Sequence, residues 1–426
     1  MLDSQSVLGT ILAACCLFGV VGVAVSARRM SPAVVAVPAA VVLVVLGVVS
    51  WSQAGDELSF IGPTIGFLAA MFVVAEVCAQ EGVFAWIGSV LARVSRGSPQ
   101  RLLGLVFVAA AVTTAVLSID TTIVLLTPVA VATARRIGAK VAPAGAATAH
   151  LANSASTLLP VSNLTNLLAF SATGLGFLTF AGLMVGPWVV AIVVEYVLFR
   201  WFFASELRSV RDEATSDGPA PTAPAVSRPA PVLTLVLLGL LLVGFVVAEP
   251  LGVPLSVVAA IGAVVMLIAP LRRAPLPTVI RAGRALNVPF LAFVAALGII
   301  ILPIRLGPVG DWVTTLIPSG EGLLALLAVA ALAAVVANLL NNLPATLLLI
   351  PLVAHEPGLA LAMLLGVNIG PNLAYFGSLA NLLWRDVMRR NTTPPPTRRY
   401  LLLGALTVPP TLIAAVVALW VGLQVG

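Results

Sequence analysis

Long runs of apolar residues, each separated from the next by a short polar segment, extend along almost the whole chain. A hydrocarbon core of about 30 Å needs roughly 20 apolar residues for one helical crossing, and most of these runs have that length. Membrane strands would instead need short segments of alternating polarity. The pattern therefore predicts an all-α polytopic membrane protein with ten crossings, at residues 7–25, 33–50, 58–79, 142–170, 180–203, 231–248, 254–270, 286–303, 358–384 and 400–423.

Two further pairs of apolar segments, 102–117 with 122–135 and 322–338 with 344–354, are each too short per arm to be read as a span. Each pair has a polar tip between its arms. This pattern predicts two re-entrant hairpins, at about 102–135 and about 322–354, which enter and leave the membrane on one side. Irregular backbone at such depth is tolerated only where protein or an aqueous cavity surrounds it.

The composition agrees with a membrane protein: 60% of the residues are hydrophobic, 9% are charged, and the mean hydropathy is +1.13. The net charge of +6 is spread over short loops, so we expect no nucleic-acid partner. Cys15, Cys16 and Cys78 have neither disulfide nor zinc spacing, and no Gly-rich phosphate loop is present. We therefore expect a protein that is not an enzyme and has no cofactor or resident metal. The segment before Cys15 contains Asp3 and no Lys or Arg, and its apolar run is too short for a signal peptide, so we expect an uncleaved first helix.

The basic residues predict the orientation, because Lys and Arg accumulate on the cytoplasmic side of a membrane. With the N-terminus outside, all of the 22 basic residues except Arg305 fall in inner loops. We therefore expect a bacterial plasma-membrane protein with both termini outside. A polar linker at 204–230 would separate repeats at 1–203 and 231–426, each with five crossings and one hairpin. An odd number of crossings per repeat implies inverted topology.

Paired asparagines support the two repeats. Asn153 precedes Asn166 by 13 residues, and Asn368 precedes Asn381 by the same spacing, at an offset of 215 between the pairs. Gly, Pro and small polar residues interrupt the apolar run around each pair. These interruptions predict a broken helix in each repeat, whose half-helix ends would point their dipoles at a ligand in the midplane.

Polar residues at the hairpin tips and broken helices are the candidate sites. A carboxylate at the bilayer centre costs roughly 2.5–3.5 kcal/mol, so Asp120 is expected to face an aqueous cavity. The alternative is that Asp120 caps the second arm of its hairpin. For the broken helices the alternative is helix packing through small and amide residues. The candidate substrate- or ion-binding residues are Asp120, Thr121, Thr122, Asn153, Ser154, Ser156, Thr157, Ser162, Asn163, Asn166, Asn341, Asn342, Thr346, Asn368, Asn372, Gly377, Ser378 and Asn381.

Three other ionisable residues are weaker candidates. His150 could relay protons with Asp120, although a single membrane histidine is as often a packed hydrogen-bond donor. Glu76 and Glu195 lie within predicted crossings and could take part in ion coupling.

The segments Asp120-Thr121-Thr122, Val161-Ser162-Asn163-Leu164, Asn341-Asn342-Leu343-Pro344 and Gly377-Ser378-Leu379-Ala380 resemble those of the arsenical pump membrane permeases (ArsB type) of the ion transporter superfamily. The resemblance implies arsenite and antimonite efflux, driven by proton exchange or by a separate ATPase subunit. It also implies a possible homodimer. More distant relatives include sodium/proton antiporters and sodium-coupled dicarboxylate carriers.

This chain departs from the family pattern at charged positions. The pattern has Asn-Asp at the first tip, where this chain has Ile119-Asp120. It has Asp in the first broken helix, here Asn153, and Asp and Lys in the second, here Asn368 and Asn372. The resemblance therefore favours a neutral solute such as As(OH)3, with Asp120 as the proton-linked carboxylate. The alternatives are a sodium-coupled anion carrier, a sodium/proton antiporter, and, from another class, a channel or membrane scaffold.

Overall fold

A computed structural model describes residues 3–26, 31–208, 229–391 and 396–425. Most of the predicted linker, at 209–228, lies outside these residues, as do Arg28, Arg29, Arg211 and Arg228. All regular secondary structure in the described residues is helical. The all-α polytopic fold predicted from the sequence is confirmed.

The first half of the chain carries eleven α-helices within the described residues. Helix α3 begins before the predicted span because Ser50 and Gln53 form a reciprocal capping box. Helix α2 ends before residue 50 because Gly47 takes a positive φ of 75°. The helices are α1 (Val7–Ser26), α2 (Ala33–Val45), α3 (Trp51–Gln80), α4 (Val83–Ser95), α5 (Pro99–Val116), α6 (Ile119–Thr121), α7 (Thr127–Arg136), α8 (Val141–Ser154), α9 (Leu164–Thr173), α10 (Phe177–Phe202) and α11 (Ala204–Arg208).

The described part of the second half repeats much of this order. An 18-residue arm, a second arm, a broken helix and a long final helix follow one another in both halves. Its helices are α12 (Val232–Ala248), α13 (Leu255–Arg273), α14 (Pro275–Ala285), α15 (Val288–Leu306), α16 (Pro308–Thr315), α17 (Leu323–Leu340), α18 (Asn342–Val353), α19 (Pro357–Ile369), α20 (Leu379–Asn391) and α21 (Thr397–Val425).

Packing between the halves is reciprocal. Helix α3 packs on α13 while α15 packs on α2, and α10 packs on α21. The second arm of each hairpin contacts the broken helix of the other half: α18 packs on α9, and α7 packs on α20. Such pairing is expected for halves related by a two-fold axis, although the inverted orientation relative to the membrane stays a prediction.

Seven helical stretches of the described residues are long and apolar enough to cross a membrane, namely α3, α5, α10, α13, the stretch Pro275–Leu306 that contains α14 and α15, α17 and α21. This set includes the first arm of each hairpin, so the prediction that both arms are too short was wrong for α5 and α17. At 18 residues, an arm is about 27 Å long, close to the thickness of the hydrocarbon core. The re-entrant course of the hairpins therefore stays a prediction.

The two equivalent helices α8 and α19 lie at the centre of the protein. Every residue from Pro143 to Ser154 is buried, and so is every residue from Gly358 to Ile369. Both helices end in polar, irregular backbone. Because protein rather than lipid surrounds those ends, their free backbone groups can find partners.

Two amphipathic helices, α4 and α14, were not predicted, because at 13 and 11 residues neither is an apolar run of span length. The predicted linker also starts later than residue 204. Helix α11 occupies 204–208, where Leu207 is buried and its carbonyl accepts a hydrogen bond from Gln100.

Candidate functional site

The tip of the first hairpin is a capped turn. Ser118, not Asp120, caps the second arm: its hydroxyl accepts from the backbone N–H of Thr121 at 3.3 Å. The hydroxyls of Ser118 and Thr121 bond at 2.9 Å, and Thr122 bonds to Thr114 at 2.7 Å. The capping role considered for Asp120 is therefore wrong. Its carboxylate has no hydrogen bond or ion pair to the described residues, which leaves it available to a ligand.

A π-helical turn, Thr122–Leu126, follows this tip. The backbone N–H of Thr127 reaches back to the carbonyl of Thr122, and its hydroxyl lies 3.4 Å from the same oxygen. Pro128 lacks an N–H and cannot continue the regular ladder. Single π turns often mark functional sites, and this one begins two residues after Asp120.

The second tip turns at Asn341, which has a positive φ of 85°. Its side-chain amide donates to the carbonyl of Phe376 at 2.9 Å and so ties the tip to the broken helix of the same half. Asn342 begins the second arm, and the hydroxyl of Thr346 donates to the Asn342 carbonyl within this helix. The hydroxyl hydrogen of Thr346 is therefore already used in a hydrogen bond within its own helix.

Each broken helix resumes after a polar cap. Short 3₁₀ turns lie at 155–157 and 160–162 in the first half and at 370–373 and 375–377 in the second. The side chain of Asn163 accepts from the N–H of Thr165, two residues ahead, and Ser378 accepts in the same way from Ala380. The two half-helices α9 and α20 therefore begin with equivalent caps.

Asn166 and Asn381 hold the two breaks closed with the same set of bonds. The amide of Asn166 donates to the carbonyls of Ser156 and Leu159, ten and seven residues earlier. The amide of Asn381 donates to the carbonyls of Pro371 and Ala374, at the same two spacings. These bonds satisfy carbonyls that the interrupted helices leave without a partner.

The asparagines of the two halves bond to each other across the protein. Asn153 donates to the side-chain oxygen of Asn381 at 2.8 Å, and Asn368 donates to that of Asn166 at 2.8 Å. Asn153 also donates to Asn372 at 2.8 Å. These five buried asparagines form the amide cluster, which joins both broken helices.

The two equivalent side-chain oxygens of the amide cluster, on Asn368 and Asn153, differ in their hydrogen-bond partners. The oxygen of Asn368 accepts from Asn163 at 2.8 Å and from the hydroxyl of Thr165 at 3.0 Å. The equivalent oxygen, on Asn153, is buried and has no hydrogen-bond partner in the described residues. The position equivalent to Thr165 is Ala380, which has no hydroxyl to offer.

A cavity of about 60 Å³, with room for a few water molecules or one small solute, lies beside the amide cluster. Both hairpin tips and both broken helices contribute polar groups to it. Asp120 is its one charged side chain among the described residues. The polar lining residues are Ser118, Asp120, Ser162, Asn163, Thr165, Asn342 and Ser378.

The remaining candidate residues lie around this cavity rather than in its wall. Asn153, Ser154, Asn166, Asn368, Asn372 and Asn381 belong to the buried hydrogen-bond network, and Ser156 and Thr157 donate to backbone carbonyls within the first break. Gly377 is needed for close packing, because a Cβ there would lie 2.8 Å from the Asn338 oxygen. Thr121, Thr122, Asn341 and Thr346 make the tip bonds described above.

Sequence reasoning missed two polar lining residues and the apolar wall. Ser118 and Thr165 stand inside segments already recognised as polar, so that signal could have found them. Phe67, Phe72 and Phe290 close the cavity from α3 and α15. An apolar residue in an apolar helix carries no sequence signal of this kind.

His150 does not line the cavity. It lies buried against Glu195 of α10, with 3.7 Å between the imidazole Nδ1 and a carboxylate oxygen. Glu76 bonds to Gln80 on its own helix, at 2.8 Å. Cys15, Cys16 and Cys78 are free thiols outside the lining, and no group of three or more metal-ligating side chains occurs in the described residues.

Comparison with known proteins places this architecture among transporters. The chain is 27% identical over 397 residues to the arsenical pump membrane protein of Escherichia coli K12, covering 89% of this chain and 91% of that protein. It is 26% identical over 383 residues to the arsenical pump membrane protein of Yersinia enterocolitica, covering 84% and 85%. The resemblance inferred from the motifs is confirmed.

A solved structure shares the fold. The YdaH transporter of Alcanivorax borkumensis, described as having an unusual topology, superposes with a TM-score of 0.54 at 15% identity and covers 98% of both chains. Residues 21–367 match the family model of the citrate transporters, CitMHS. The chain is therefore a multi-pass membrane transporter that belongs to the CitMHS citrate transporter family.

Proposed function

We propose that this transporter exports arsenite or antimonite in exchange for protons, by alternating access at the cavity between the two hairpin tips. The observation that carries the proposal is the cavity itself, where four polar segments from both halves surround one carboxylate, Asp120. The similarity to arsenical pump membrane proteins along most of the chain supports the choice of solute.

A neutral trihydroxide such as As(OH)3 suits this lining. Its hydroxyls can donate to the Asp120 carboxylate and accept from the amide of Asn342. Phe67 and Phe290 provide apolar contact around the solute. Because no basic side chain lines the cavity within the described residues, an uncharged solute fits better than an anion.

Proton exchange follows if the solute and the proton compete for Asp120. With the carboxylate ionised, the solute's hydroxyls have a strong acceptor. Protonation removes that acceptor and releases the solute, and it also lowers the cost of closing the site away from water. One carboxylate can therefore bind either partner in turn, which is the requirement for an antiporter.

A sodium-coupled carrier of a carboxylate anion is the second candidate, because the family description names citrate. A carboxylate solute would need a positive counterpart, either a cation at Asp120 or a basic residue. Sodium-dependent citrate uptake without arsenite flux would favour this candidate. A channel would carry solute without dependence on a pH gradient.

The test measures transport in either of two preparations: everted membrane vesicles from cells that express the chain, or proteoliposomes that contain the purified chain. A pH gradient should drive arsenite and antimonite uptake into everted vesicles, and Asp120→Asn should abolish this drive while expression is retained. Asp311→Asn is the matched control, since Asp311 is exposed on α16, away from the cavity. Unchanged flux in Asp120→Asn would remove this carboxylate from the mechanism.

We also propose the orientation in which both termini and Arg305 face outside. Arg305 bonds to Glu57 at 3.1 Å, and both side chains are largely removed from solvent. One outer arginine against 21 inner basic residues agrees with a rule that describes a bias in Lys and Arg placement. The test uses two variants, each with a single cysteine, at position 311 in place of Asp311 or at position 100 in place of Gln100. A membrane-impermeant thiol reagent should label the cysteine at 311 from outside the cell, and should label the cysteine at 100 only in inverted vesicles.

A further inference from the structure

A second pair of ionisable groups lies inside the protein, outside the cavity. His150 on α8 and Glu195 on α10 are both 0% exposed. The imidazole Nδ1 lies 3.7 Å from a carboxylate oxygen, beyond hydrogen-bonding distance. Both imidazole nitrogens and the second carboxylate oxygen have no hydrogen-bond partner in the described residues.

The hydroxyl of Ser154 indicates which of the two groups carries a proton. Its oxygen lies 2.7 Å from the carbonyl of His150 and 2.7 Å from the carboxylate of Glu195. The amide of Asn372 donates to it at 3.0 Å. A hydroxyl has one hydrogen to donate and two lone pairs. With one acceptor for each hydrogen, all three contacts are hydrogen bonds at once when Glu195 is protonated and donates to Ser154, while Ser154 donates to the His150 carbonyl.

Charge independently favours one proton on the pair, and the Ser154 contacts place that proton on Glu195. An isolated buried carboxylate is very unfavourable, whereas one proton on the pair leaves it neutral. The groups nearest to it are apolar or uncharged: the ring of Phe199 lies 5.0 Å and that of Tyr400 6.1 Å from the imidazole.

The other ionisable groups on the helices packed against α8 and α10 lie elsewhere. Asp120 faces the cavity. Arg399 pairs with Glu206, Arg389 pairs with Asp386, and Arg385 lies over the ring of Tyr375. Tyr196, the neighbour of Glu195 on α10, packs its ring against Phe107 and under Arg200. The rest are near helix termini, namely Arg101, Arg135, Arg136, Lys140, Arg200, Arg208, Arg390 and Arg398. Of the groups that these helices carry, Tyr400 is thus the one whose ring contacts the pair.

The pair is joined to the amide cluster by hydrogen bonds. Asn372 donates to both Ser154 and the His150 carbonyl, and its own oxygen accepts from Asn153. Loss of the Glu195 proton would turn the Ser154 hydroxyl toward the carboxylate and leave a negative charge next to Asn372. That charge favours any conformation in which the broken helices separate and water reaches the pair.

We propose that Glu195, with His150, is a second proton-binding site of this transporter, linked through Ser154 and Asn372 to the two broken helices. It holds one proton while the amide cluster is closed and exchanges that proton with water when the cluster opens. The step is a proton transfer between the Glu195 carboxyl group and water, with no other bond changed. The proposal rests on the proposed exchange of solute for protons and adds a site to it.

The first test needs no solute. Infrared spectroscopy of the purified chain at neutral pH should show the band of a protonated carboxyl group that Glu195→Gln removes. Glu76→Gln, a membrane carboxylate outside the network, is the control and should leave that band unchanged. A spectrum that is the same for the parent chain and Glu195→Gln would overturn the proposal.

The second test measures transport. Glu195→Gln should retain solute exchange at equal pH on both sides and lose most of the stimulation by a pH gradient. Ser154→Ala should do the same, and Ser154→Thr, which keeps the hydroxyl, should restore the parent pH profile. A parent pH profile in Glu195→Gln would also refute the site. If the parent chain itself moves no arsenite, the proposed function is refuted. The infrared comparison still shows whether Glu195 carries a proton, because it does not depend on any solute.

Discussion

The amide cluster predicts a large and symmetric cost for removing either of two asparagines. Asn166 is fully buried and makes three side-chain hydrogen bonds, to Ser156 at 2.7 Å, Leu159 at 3.0 Å and Asn368 at 2.8 Å. Each such bond contributes about 1 kcal/mol, and a buried group left without a partner costs about 1–3 kcal/mol. We therefore expect Asn166→Ala to destabilise the protein by about 3 kcal/mol or more.

The reciprocal variant Asn381→Ala should cost the same amount, because Asn381 makes the equivalent bonds to Pro371, Ala374 and Asn153. Asn391→Ala is the matched control. Its side chain is half-buried and makes one bond within its helix, at 2.8 Å, so the cost should stay below about 1 kcal/mol.

The assay is reversible unfolding of the purified protein in mixed detergent micelles, followed by tryptophan fluorescence. A loss in Asn166→Ala no larger than that of the control would refute the hydrogen-bond argument. A difference of more than about 2 kcal/mol between Asn166→Ala and Asn381→Ala would refute the equivalence of the two breaks.

Two other variants probe the asymmetry and charge of the cluster. Ala380→Ser places a hydroxyl where Asn153 has a free oxygen, and should raise the free energy of unfolding by about 1 kcal/mol in the same assay. Asn372→Lys places an unpaired ammonium group inside the amide cluster, where Asn372 is fully buried, so folded yield in detergent should fall sharply. Adding Asn153→Asp should recover that yield, because residues 153 and 372 are in direct contact; equal yields from the single and double variants would argue against an ion pair at these positions.

The sequence predicted the residues of the amide cluster, because repeated polar positions in apolar helices are conspicuous. Asn153, Asn166, Asn368 and Asn381 stood out by their equal spacing. Their actual pairing, Asn153 with Asn381 and Asn166 with Asn368, required the structure. Spacing within each half shows which residues are equivalent, whereas contact across the halves depends on how the helices pack.

The same limit applies to the buried pair. His150 and Glu195 were separate, weak candidates in the sequence, since nothing local relates residues 45 positions apart. The packing of α8 on α10 brings them together. The capping role of Ser118 was also missed, because Asp and Ser are nearly equal N-cap residues and the choice depends on the backbone at the turn.

Neutral amides explain how both halves can use the same residue type at a shared centre. An amide donates and accepts, so Asn153 and Asn381 can bond to each other, and Asn166 and Asn368 can do so as well, without placing charge in the membrane. Two carboxylates in these positions would repel each other unless each had a cation. Because every cross-bond joins one broken helix to the other, neither helix can move alone without leaving buried polar groups unpaired. Opening of the cavity is therefore expected to involve both halves together, and a charge at Asp120 or Glu195 acts on that single equilibrium.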